Sequence, residues 1–503
     1  MGFSDKMKTH RSGLSSLFSS LRVKGQKLTS FPLLELPYEL LERVTMLSNP
    51  MDIMSLRRTC KTISTITYKH WVWLEVAVVV LDENGVVLPP KLLNDMPLED
   101  LERLSLQPAL FRRRLRDLGQ GADAELWPVT QCLMRNCLPA DEAISMHMTL
   151  VGGGRFLFVQ HENHRKNDLF LIRLPATSEV RGEASTIAHT TFPEGSHSGR
   201  IHDYWRVKHS RSILRLVILE VLRVSVMSFS VDRARLLYFR EELYQISIYE
   251  IDTAAEQPFF ALIARTSDFG DITAMTSEIK HCGESRISLC DPKSLLLWDF
   301  ARDERISFNI PGPPNPWDYV LPHVKVVDNR VIYLQRHRLA IYVLPRDAKG
   351  PLGKLRPSFE LKSSHLSNVY FPHPATPRDP FVFHVHDRSR DNIRTYELSR
   401  GSGVPRAGSP RPMPRSGAWG EIWGPAPFVG CAGAHVITRI LSLSARYAMW
   451  IDDDGAEGEA YAGSARLMCG DGESLLDQAT FDAVSGRMCV AGPEHSLLVV
   501  DYV

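Results

Sequence analysis

At 503 residues the chain is too long for one ordinary compact core, so we expect two or more domains or one large repeat assembly. Hydrophobic residues make up 44% and charged residues 23% of the sequence, a balance typical of a soluble globular protein that excludes a disordered or fibrous one. The 59 Lys and Arg residues nearly cancel the 58 Asp and Glu residues, so no global field draws the molecule to nucleic acid or to an anionic membrane.

The eight cysteines are sparse and form no C-x-x-C pair. This distribution is typical of reduced thiols in the cytosol or nucleus, and it argues against a disulfide framework or a zinc module. No apolar run reaches the roughly 18 to 20 residues that a membrane-spanning helix needs. We therefore expect a soluble protein in the cytoplasm, the nucleus or both, with no membrane or nucleic-acid partner.

Residues 1–30 form a basic arm with six Lys or Arg residues and a single acid, Asp5. Four apolar residues between 14 and 21 fall at helical spacing, and a basic, serine-rich amphipathic segment of this kind resembles an organelle transit peptide. Because so short a pattern also arises by chance, we favour a disordered basic tail.

Two short helical patterns follow, separated by Asn49-Pro50. Pro37 can open the first helix because its missing N–H would be unpaired there, and apolar residues then recur on one face at steps of four, four and three. They are Leu36, Leu40, Val44 and Leu47. Asn49 is a good N-cap, Pro50 suits the first helical position and Asp52 adds negative charge to the first turn of the second helix. Its apolar positions are Ile53, Leu56, Cys60 and Ile63.

Further helices are predicted downstream. One stretch carries Trp71, Trp73, Leu74 and Ala77, and another begins at Pro97. The latter has acids early and the basic run RRRLR (112–116) late, as the helix dipole favours. That run could meet phosphates, but a solvated, dipole-matched helix end explains it more simply. We predict a compact helical unit over residues 31–75 and a helical linker over 76–144.

From about residue 145 the sequence changes to short β-rich runs separated by Gly, Pro, Asn and Asp. A sequence motif recurs in which an apolar strand ends in an aromatic or acidic residue and is followed by a turn. Its seven copies are DLFLIRLP (168–175), QISIYEID (245–252), SLLLWDF (294–300), RLAIYVLP (338–345), NIRTYELS (392–399), RYAMWIDD (446–453) and SLLVVDYV (496–503). From the second copy onward the spacing is about 45 to 55 residues, within or just above the period of β-propeller blades.

The predicted fold class is therefore α + β multidomain, with helices followed by an all-β propeller-like domain of six or seven blades over residues 145–503. A large antiparallel sandwich is the alternative, but sandwich domains of about 100 residues each would not need seven copies of a similar motif. Trp298-Asp299 matches the terminal dipeptide of a WD40 blade, although no clear Gly-His partner stands upstream. Residues 399–417 are rich in Arg, Pro, Gly and Ser and predict a disordered surface loop.

Motifs of the common enzyme classes are missing: the sequence has no Walker A loop, no G-x-S-x-G elbow and no H-E-x-x-H. HENH at 161–164 is one residue short and lies among turn residues. His384 and His386 share a strand face, as metal-binding pairs sometimes do, but no third ligand can be named. The acids at 452–457 resemble a fragment of a calcium loop without its alternate spacing, so an acidic turn is favoured. We predict no catalytic residue, metal or cofactor.

A helical unit of about 45 residues rarely buries enough apolar surface to be stable without a staple or a partner. Yet the adjacent pairs Leu40-Leu41 and Ile53-Met54 widen the apolar stripe of each helix. One edge of such a stripe can face the unit's own core while the other edge is left for a partner. We infer an apolar docking surface.

The residues of this unit resemble an F-box. The pattern is Leu36-Pro37-x-Glu39-Leu40-Leu41-x-x-Val44, then Pro50-x-Asp52-Ile53-x-x-Leu56-Arg57-x-Thr59-Cys60-Lys61, then Trp73-Leu74. The continuation VVLDENGVVLPP and MPLEDLERLSL is similar to the large F-box family of mushroom-forming fungi, in which helices lead into a propeller-like region. Ile63 departs from the pattern, since many F-boxes carry an aromatic residue there.

This resemblance implies that residues 31–75 dock to the Skp-type adaptor of a cullin–RING ubiquitin ligase, while the propeller selects an unknown protein substrate. The residues implied in adaptor binding, or in the core directly beneath it, are Leu36, Pro37, Leu40, Leu41, Val44, Ile53, Leu56 and Cys60. The chain itself would then be a non-catalytic receptor subunit.

Two other hypotheses remain open. The helical segment could cap a propeller enzyme or small-ligand binder, which predicts ionisable groups such as His384, His386 or the acids at 452–457 in a central channel. The chain could also be an F-box scaffold that binds the adaptor and acts outside ubiquitination.

Overall fold

The structure is a computed structural model. It describes residues 33–118, 125–139, 145–163, 166–175, 183–192, 196–208, 210–224, 241–267, 269, 278–290, 294–310, 323–335, 338–345, 350–363, 366–370, 381–387, 392–399, 402–412, 428–431, 434–442, 445–452, 461–468, 479–482, 484–492 and 495–503. The chain divides into two compact units, Met1–Val80 with Asn94–Leu106 and Leu81–Leu93 with Gln107–Val503. The predicted basic arm lies outside the described residues. None of the described helices is both long and apolar enough to cross a membrane.

The first unit is helical, as the apolar periodicity predicts. After a 3₁₀ turn at Leu33–Glu35, the helices among the described residues are α1 (Tyr38–Leu47), α2 (Pro50–Leu56), α3 (Lys61–Thr67), α4 (His70–Glu83), α5 (Pro90–Asn94) and α6 (Leu98–Asp117). Pro37 takes the N-cap position of α1, and the Asn49 side chain caps α2 by accepting the Met51 N–H at 3.0 Å. Both predicted helix starts are therefore confirmed.

The second predicted helix is in fact two helices. It ends at Leu56, and Cys60 has the extended backbone of an N-cap from which α3 starts. The Thr59 hydroxyl donates to the Leu56 carbonyl at 2.7 Å, closing a turn between the two helices. A side-chain bond of this kind competes with helical backbone pairing, which is why apolar spacing alone did not predict the break.

The core of the helical unit is built around apolar side chains. Leu41, Ile66 and Val72 form a buried cluster against which Leu36 and Met46 pack. Trp73 is fully buried, and its indole N–H donates to the Thr67 carbonyl at 2.7 Å. This satisfies its one polar atom, as a buried tryptophan requires.

The second unit consists mainly of short strands. The first two are β1 (Glu125–Leu126) and β2 (Thr130–Met134). Blade 1 contains β3 (Ser145–Leu150), β4 (Phe156–Glu162), β5 (Asn167–Arg173) and β6 (Ser185–Thr191); blade 2 contains β7 (Ser196–Arg206), β8 (Ile213–Val224), β9 (Glu241–Asp252) and β10 (Ala261–Thr266). Blade 3 contains β11 (Glu278–His281), β12 (Arg286–Cys290), β13 (Ser294–Asp299) and β14 (Glu304–Asn309); blade 4 contains β15 (His323–Val327), β16 (Arg330–Gln335) and β17 (Arg338–Val343).

The remaining strands follow the same order. β18 (Gly350–Lys354) joins the edge of blade 3, and β19 (Phe359–Lys362) completes blade 4. Blade 5 contains β20 (Leu366–Tyr370), β21 (Phe381–Asp387), β22 (Asn392–Leu398) and β23 (Arg406–Pro412); blade 6 contains β24 (Phe428–Cys431), β25 (Ala434–Ser442), β26 (Ala445–Asp452) and β27 (Tyr461–Leu467), with β1 added at its edge. Blade 7 contains β28 (Ala479–Asp482), β29 (Arg487–Ala491), β30 (Leu497–Asp501) and the early strand β2.

These strands make a seven-bladed propeller. Within the described residues there are seven sheets whose main strands pair antiparallel in chain order. Each sheet contacts the next, blade 1 to 2 and so on to blade 7, and blade 7 returns to blade 1 through β28 and β3. Apolar clusters fill the spaces between consecutive sheets, for example Phe158 and Tyr249 between blades 1 and 2. A cycle of sheets packed face to face around an axis is the propeller architecture.

The recurring sequence motif forms the third strand of every blade. Its seven copies fall on β5, β9, β13, β17, β22, β26 and β30. A third strand has neighbours on both sides, and several are apolar on both faces, as in Leu295 to Trp298 of β13. The prediction of six or seven blades is confirmed at seven, and the sandwich alternative is wrong.

Two parts of the structure differ from the sequence-based boundaries. β2 lies within residues 76–144, predicted as a helical linker, and pairs antiparallel with β30 from Thr130↔Asp501 to Met134↔Leu497. β23 lies within 399–417, predicted as a disordered loop, and pairs with β22. Both are outer strands of their sheets. Edge strands bury fewer side chains and therefore carry a weaker apolar signal.

Residues 81–93 and 107–118 pack against the turns that join the first and second strands of blades 1, 2 and 7. We call this end of the propeller the turn end. Asp82 binds Arg206 and Arg211 at 2.9 and 3.2 Å, and the Leu88 N–H donates to the Arg211 carbonyl at 3.0 Å. Burial alone would raise the pKa of Asp82, but the hydrogen bond from Arg211 and the charge of Arg206 hold it below its usual range.

The contact at blade 1 requires a glycine. Gly153 has φ of +93°, and a Cβ on it would lie 2.2 Å from a methyl group of Val86. At blade 7 the rings of Phe111 and Phe481 lie 5.5 Å apart, centroid to centroid. Segments that precede most of the blades in sequence thus cover part of the turn end.

Candidate functional site

The eight residues predicted to contact or support an adaptor divide into three groups by burial. Leu41 and Ile53 are buried; Leu36, Val44, Leu56 and Cys60 are half-buried; Pro37 and Leu40 are exposed. On α1 the boundary falls between neighbours, since Leu41 is 4% exposed and Leu40 is 49% exposed. The apolar stripe therefore has one edge in the core and one edge at the surface.

An apolar surface extends along the chain before Leu40. Leu33, Leu34 and Tyr38 are 37%, 54% and 39% exposed. Four large apolar side chains thus face solvent within eight consecutive residues. We call Leu33, Leu34, Tyr38 and Leu40 the apolar surface. Isolated exposed leucines are common, whereas a large contiguous apolar patch is typical of an interaction site.

Lys69 stands beside this surface. Its ammonium pairs with Glu42 and lies 4.5 Å from the ring centroid of Tyr38 and 5.8 Å from that of Trp71. The hydrogen bond to Glu42, followed by that to Tyr38, raises the pKa of Lys69 above its ordinary value. Trp71 is itself 40% exposed. The aromatic part of the surface is therefore bordered by the Lys69–Glu42 ion pair.

Arg57 joins three helices of the helical unit. Its guanidinium donates to both carboxylate oxygens of Glu102 on α6, at 2.6 and 3.1 Å. It also donates to the hydroxyl and the carbonyl of Thr67, at 3.1 and 2.7 Å, and lies 4.2 Å from the ring centroid of Tyr68. Sequence reasoning placed Arg57 in the F-box-like pattern without a role, because its partner Glu102 is 45 residues away.

We expect Arg57→Met to lower the free energy of unfolding of the helical unit by about 2 kcal/mol. The substitution keeps the stem but leaves Glu102 without its bidentate partner, and a hydrogen bond to a charged group contributes about 1.5 to 3 kcal/mol. Urea unfolding followed by tryptophan fluorescence would measure the change. Arg58→Met, at the exposed neighbouring position, is the matched control. Equal effects of the two substitutions would contradict the role given to Arg57.

His384 does not lie in a central channel, where the small-ligand hypothesis could have placed it. His384 is buried on β21, the second strand of blade 5, and its Nδ1 lies 3.0 Å from the Thr395 hydroxyl on the neighbouring strand. It is therefore part of the interior of the blade. The side chain of His386 lies outside the described residues.

The other metal-like patterns do not form a described site. His161 is buried on β4, and the Asn163 N–H donates to the Lys166 carbonyl at 2.9 Å, so HENH lies on a hairpin rather than a helix. Residues 453–457 lie outside the described residues, as do His164 and the side chain of Asp452. Within the described parts of the chain, no group of three or more His, Cys, Asp or Glu side chains could hold a metal ion.

Two further motifs have local structural partners. The indole N–H of Trp298 donates to Asp303 at 2.9 Å, and Asp299 accepts from Arg286 at 3.1 Å. In the basic run, Arg113 lies 3.7 Å from Asp117 and both are largely exposed. These contacts agree with a structural role for the Trp-Asp dipeptide and with a solvated helix end for the arginines.

Comparison with known proteins adds a likeness of fold. No family model matches the chain, and no curated protein matches it. Among solved structures, the chain is similar to the C-terminal WD40 domain of Sif2, with 9% sequence identity over 72% of this chain and 97% of that domain and a TM-score of 0.34. The propeller assignment rests on the strand order and the cycle of blade contacts rather than on this likeness.

Proposed function

We propose that the chain is a substrate receptor of a Skp–cullin–F-box ubiquitin ligase, acting in the cytoplasm or nucleus. The helical unit docks to the Skp-type adaptor, and the propeller holds the protein to be modified. The observation that carries the proposal is the burial of the F-box-like pattern, in which Leu41 and Ile53 are in the core while Pro37 and Leu40 are at the surface.

The apolar surface is well suited to a helical partner. Its four members are carried by a 3₁₀ turn and the first turn of α1, so a partner meets apolar side chains on ordered backbone. Interfaces of this kind gain most of their affinity from a few buried apolar and aromatic anchors.

The propeller is proposed to bind the target protein at the end opposite the turn end. At blades 1, 2 and 7 the turn end is in contact with residues 81–93 and 107–118 of the same chain. The opposite end bears the connections from the second to the third strands and between successive blades. Holding the target there raises its effective concentration near a bound ubiquitin-charged enzyme, so the chain needs no nucleophile or metal of its own.

Leu40→Glu should abolish binding of a co-expressed Skp-type adaptor to the full chain, measured by co-purification and gel filtration. A charge at this exposed position opposes an apolar partner without entering the core. Phe259→Glu is the matched control, because Phe259 is 67% exposed and belongs to the propeller. Adaptor retained by Leu40→Glu at the level of Phe259→Glu would refute the proposal. Leu41 is unsuitable for this test because a charge there would disrupt the core.

The same experiment separates the receptor from the scaffold. Cullin recovered together with the adaptor supports a ubiquitination role, whereas adaptor without cullin favours a scaffold that acts outside the pathway. Ubiquitin transfer to a captured protein, lost with Leu40→Glu, would then identify that protein as a substrate.

A further inference from the structure

A cavity of about 330 Å³ lies at the turn end of blade 3. It is formed by the turn between β11 and β12, the last residue of β13 and the turn that follows it. Its volume is at the lower end of the range for small-ligand sites. Five of its seven lining residues are polar or charged, so the cavity suits a polar group. They are Glu284, Ser285, Arg286, Asp299 and Arg302.

Asp299 has an acceptor that the described protein leaves unused. Its side chain is 8% exposed, and its Oδ2 accepts from the Nε of Arg286 at 3.1 Å. The other oxygen, Oδ1, is buried and has no hydrogen-bond partner among the described residues. A buried acceptor without a donor costs free energy that a ligand N–H would recover. The cavity therefore favours a ligand that carries an N–H group.

Two guanidinium groups supply donors beside this carboxylate. Arg286 bonds to Asp299, and Arg302 is held in the same turn as Asp299 because its backbone N–H donates to the Asp299 carbonyl at 3.2 Å. Glu284 pairs with neither arginine, since both of its carboxylate oxygens accept the Lys208 N–H, at 3.0 and 3.1 Å. The exposed side chain of Arg302 thus has no counter-ion within the part of the chain that the structure describes.

An arginine elsewhere in the propeller shows what Arg286 lacks. Arg487 occupies the same register position in blade 7, and it donates to the carbonyls of Gly154 and Pro175 in blade 1. In the described ranges, Arg286 reaches no such carbonyl of the next blade, and its side chain is 47% exposed. Its two terminal nitrogens can therefore bind an acceptor from outside the chain.

We propose that this cavity binds a carboxylate with an amide N–H on its α-carbon, the chemistry shared by a peptide C-terminus and an N-acyl amino acid. The carboxylate accepts from Arg286 and Arg302, while the N–H donates to Oδ1 of Asp299. A guanidinium binds a carboxylate through two parallel hydrogen bonds, which a neutral carbonyl cannot form. Because Asp299 bonds directly to Arg286, one terminal residue can reach both groups.

This site goes beyond the proposed ligase function. It lies at the turn end of the propeller, whereas the target protein is proposed to bind at the opposite end. Its lining comes from blade 3 alone, so adaptor docking by the helical unit does not enter the proposal.

Ligand-observed NMR titration of the full chain with N-acetylglycylalanine tests the site. We expect the C-terminal amide of the same dipeptide to bind about tenfold more weakly, because it lacks the charge and the second carboxylate oxygen. The ester analogue N-acetylglycyl-lactate, in which oxygen replaces the terminal N–H, should bind about fivefold more weakly, since Asp299 then gains no donor.

N-acetylalanine distinguishes the two sources of this chemistry. Affinity equal to that of N-acetylglycylalanine would support a site that recognises one terminal residue, as a free N-acyl amino acid provides. Tighter binding of the dipeptide would support a site for the C-terminus of a longer chain.

Arg302→Met should weaken binding of N-acetylglycylalanine by about tenfold, because it removes a charge-assisted interaction. The exposed side chain has no described partner, so its loss should leave the fold intact. Arg406→Met is the matched control, since Arg406 is exposed on β23 of blade 5. Arg286→Met is the second variant, which also leaves the ligand carboxylate facing the charge of Asp299.

Three results would overturn the proposal. Equal affinity for the acid and its C-terminal amide would show that the carboxylate is not recognised. Equal affinity for the ester and the amide-linked ligand would show that Asp299 does not accept the N–H. Equal losses in Arg302→Met and Arg406→Met would indicate a general effect of charge. Adaptor binding by Leu40→Glu is a separate measurement, and its failure would leave these results unaffected.

Discussion

Met134→Asp should prevent stable closure of the propeller, whereas Leu133→Asp on the same strand should change its stability little. Met134 is 6% exposed and packs with Leu150 and Leu157 of blade 1 in the core between blades 7 and 1. Leu133 is 52% exposed on the other face of β2. A carboxylate forced into an apolar core costs more than about 4 kcal/mol, while a change at an exposed edge position stays within about 1 kcal/mol.

Urea unfolding followed by tryptophan fluorescence and near-ultraviolet circular dichroism would measure both substitutions. The prediction depends on β2 being the outer strand of blade 7, paired with β30. If β2 were a dispensable linker, both variants would unfold at the wild-type urea concentration. Met134→Ala offers a milder test, with an expected loss of about 2 to 5 kcal/mol from the cavity alone.

β2 also shows why part of the fold could not be read from the sequence. Thr130 to Met134 has mostly exposed or half-buried side chains, and its partner strand lies some 370 residues further along the chain. Neither the apolar pattern nor local spacing can report such a pairing. The third strands, in contrast, could be predicted from the sequence. Their neighbours on both sides make several of them apolar on both faces, and the recurring pattern predicted them in all seven blades.

In the helical unit, too, some features could be predicted from the sequence and others could not. Helix starts at Pro37 and Asn49 follow from local backbone chemistry and were predicted correctly. The break after Leu56 was not predicted, because the bond from the Thr59 hydroxyl to the Leu56 carbonyl that closes the turn leaves the apolar spacing unchanged. The contacts of Arg57 with Thr67 and Glu102 depend on tertiary packing and were likewise not predicted. The adaptor-binding role of Leu40 and its neighbours stays a prediction, since burial shows which side chains are accessible but not what covers them.

Arg487→Met should cost about 3 to 5 kcal/mol, because it leaves a buried carboxylate without its partner. Arg487 is buried and binds both oxygens of Asp501, at 2.6 and 3.0 Å. It also donates to the carbonyls of Gly154 and Pro175 in blade 1, at 2.8 and 2.9 Å. Burial by itself would lower the pKa of this guanidinium, but the hydrogen bond and charge of Asp501 raise it above its ordinary value.

Blade 3 supplies a matched control. Arg286 faces Asp299 at the register position that Arg487 and Asp501 occupy in blade 7, but its side chain is 47% exposed. Arg286→Met should therefore cost less than Arg487→Met, since the Arg286 guanidinium is half exposed although Asp299 is buried. If urea unfolding gave the two variants equal losses of unfolding free energy, burial would not set the strength of this repeated pair.

Asp501→Asn separates the two roles of Arg487. The amide retains one acceptor for the guanidinium and removes the charge, while the bonds to Gly154 and Pro175 remain available. If those inter-blade bonds carry most of the stabilisation, Asp501→Asn should cost clearly less than Arg487→Met, and the double variant should cost little more than Arg487→Met alone. Arg330 of blade 4 donates in the same way to the carbonyls of Ser399 and Ser402, which lie between β22 and β23 of blade 5. Arg215 of blade 2 donates to the carbonyl of Glu284 in blade 3. An arginine that binds the following blade's carbonyls would then be a general way in which this chain holds neighbouring sheets together, and blade 7 would use it at the point where the ring closes. If Asp501→Asn and Arg487→Met lowered the unfolding free energy equally, the stabilisation would instead come from the ion pair within blade 7.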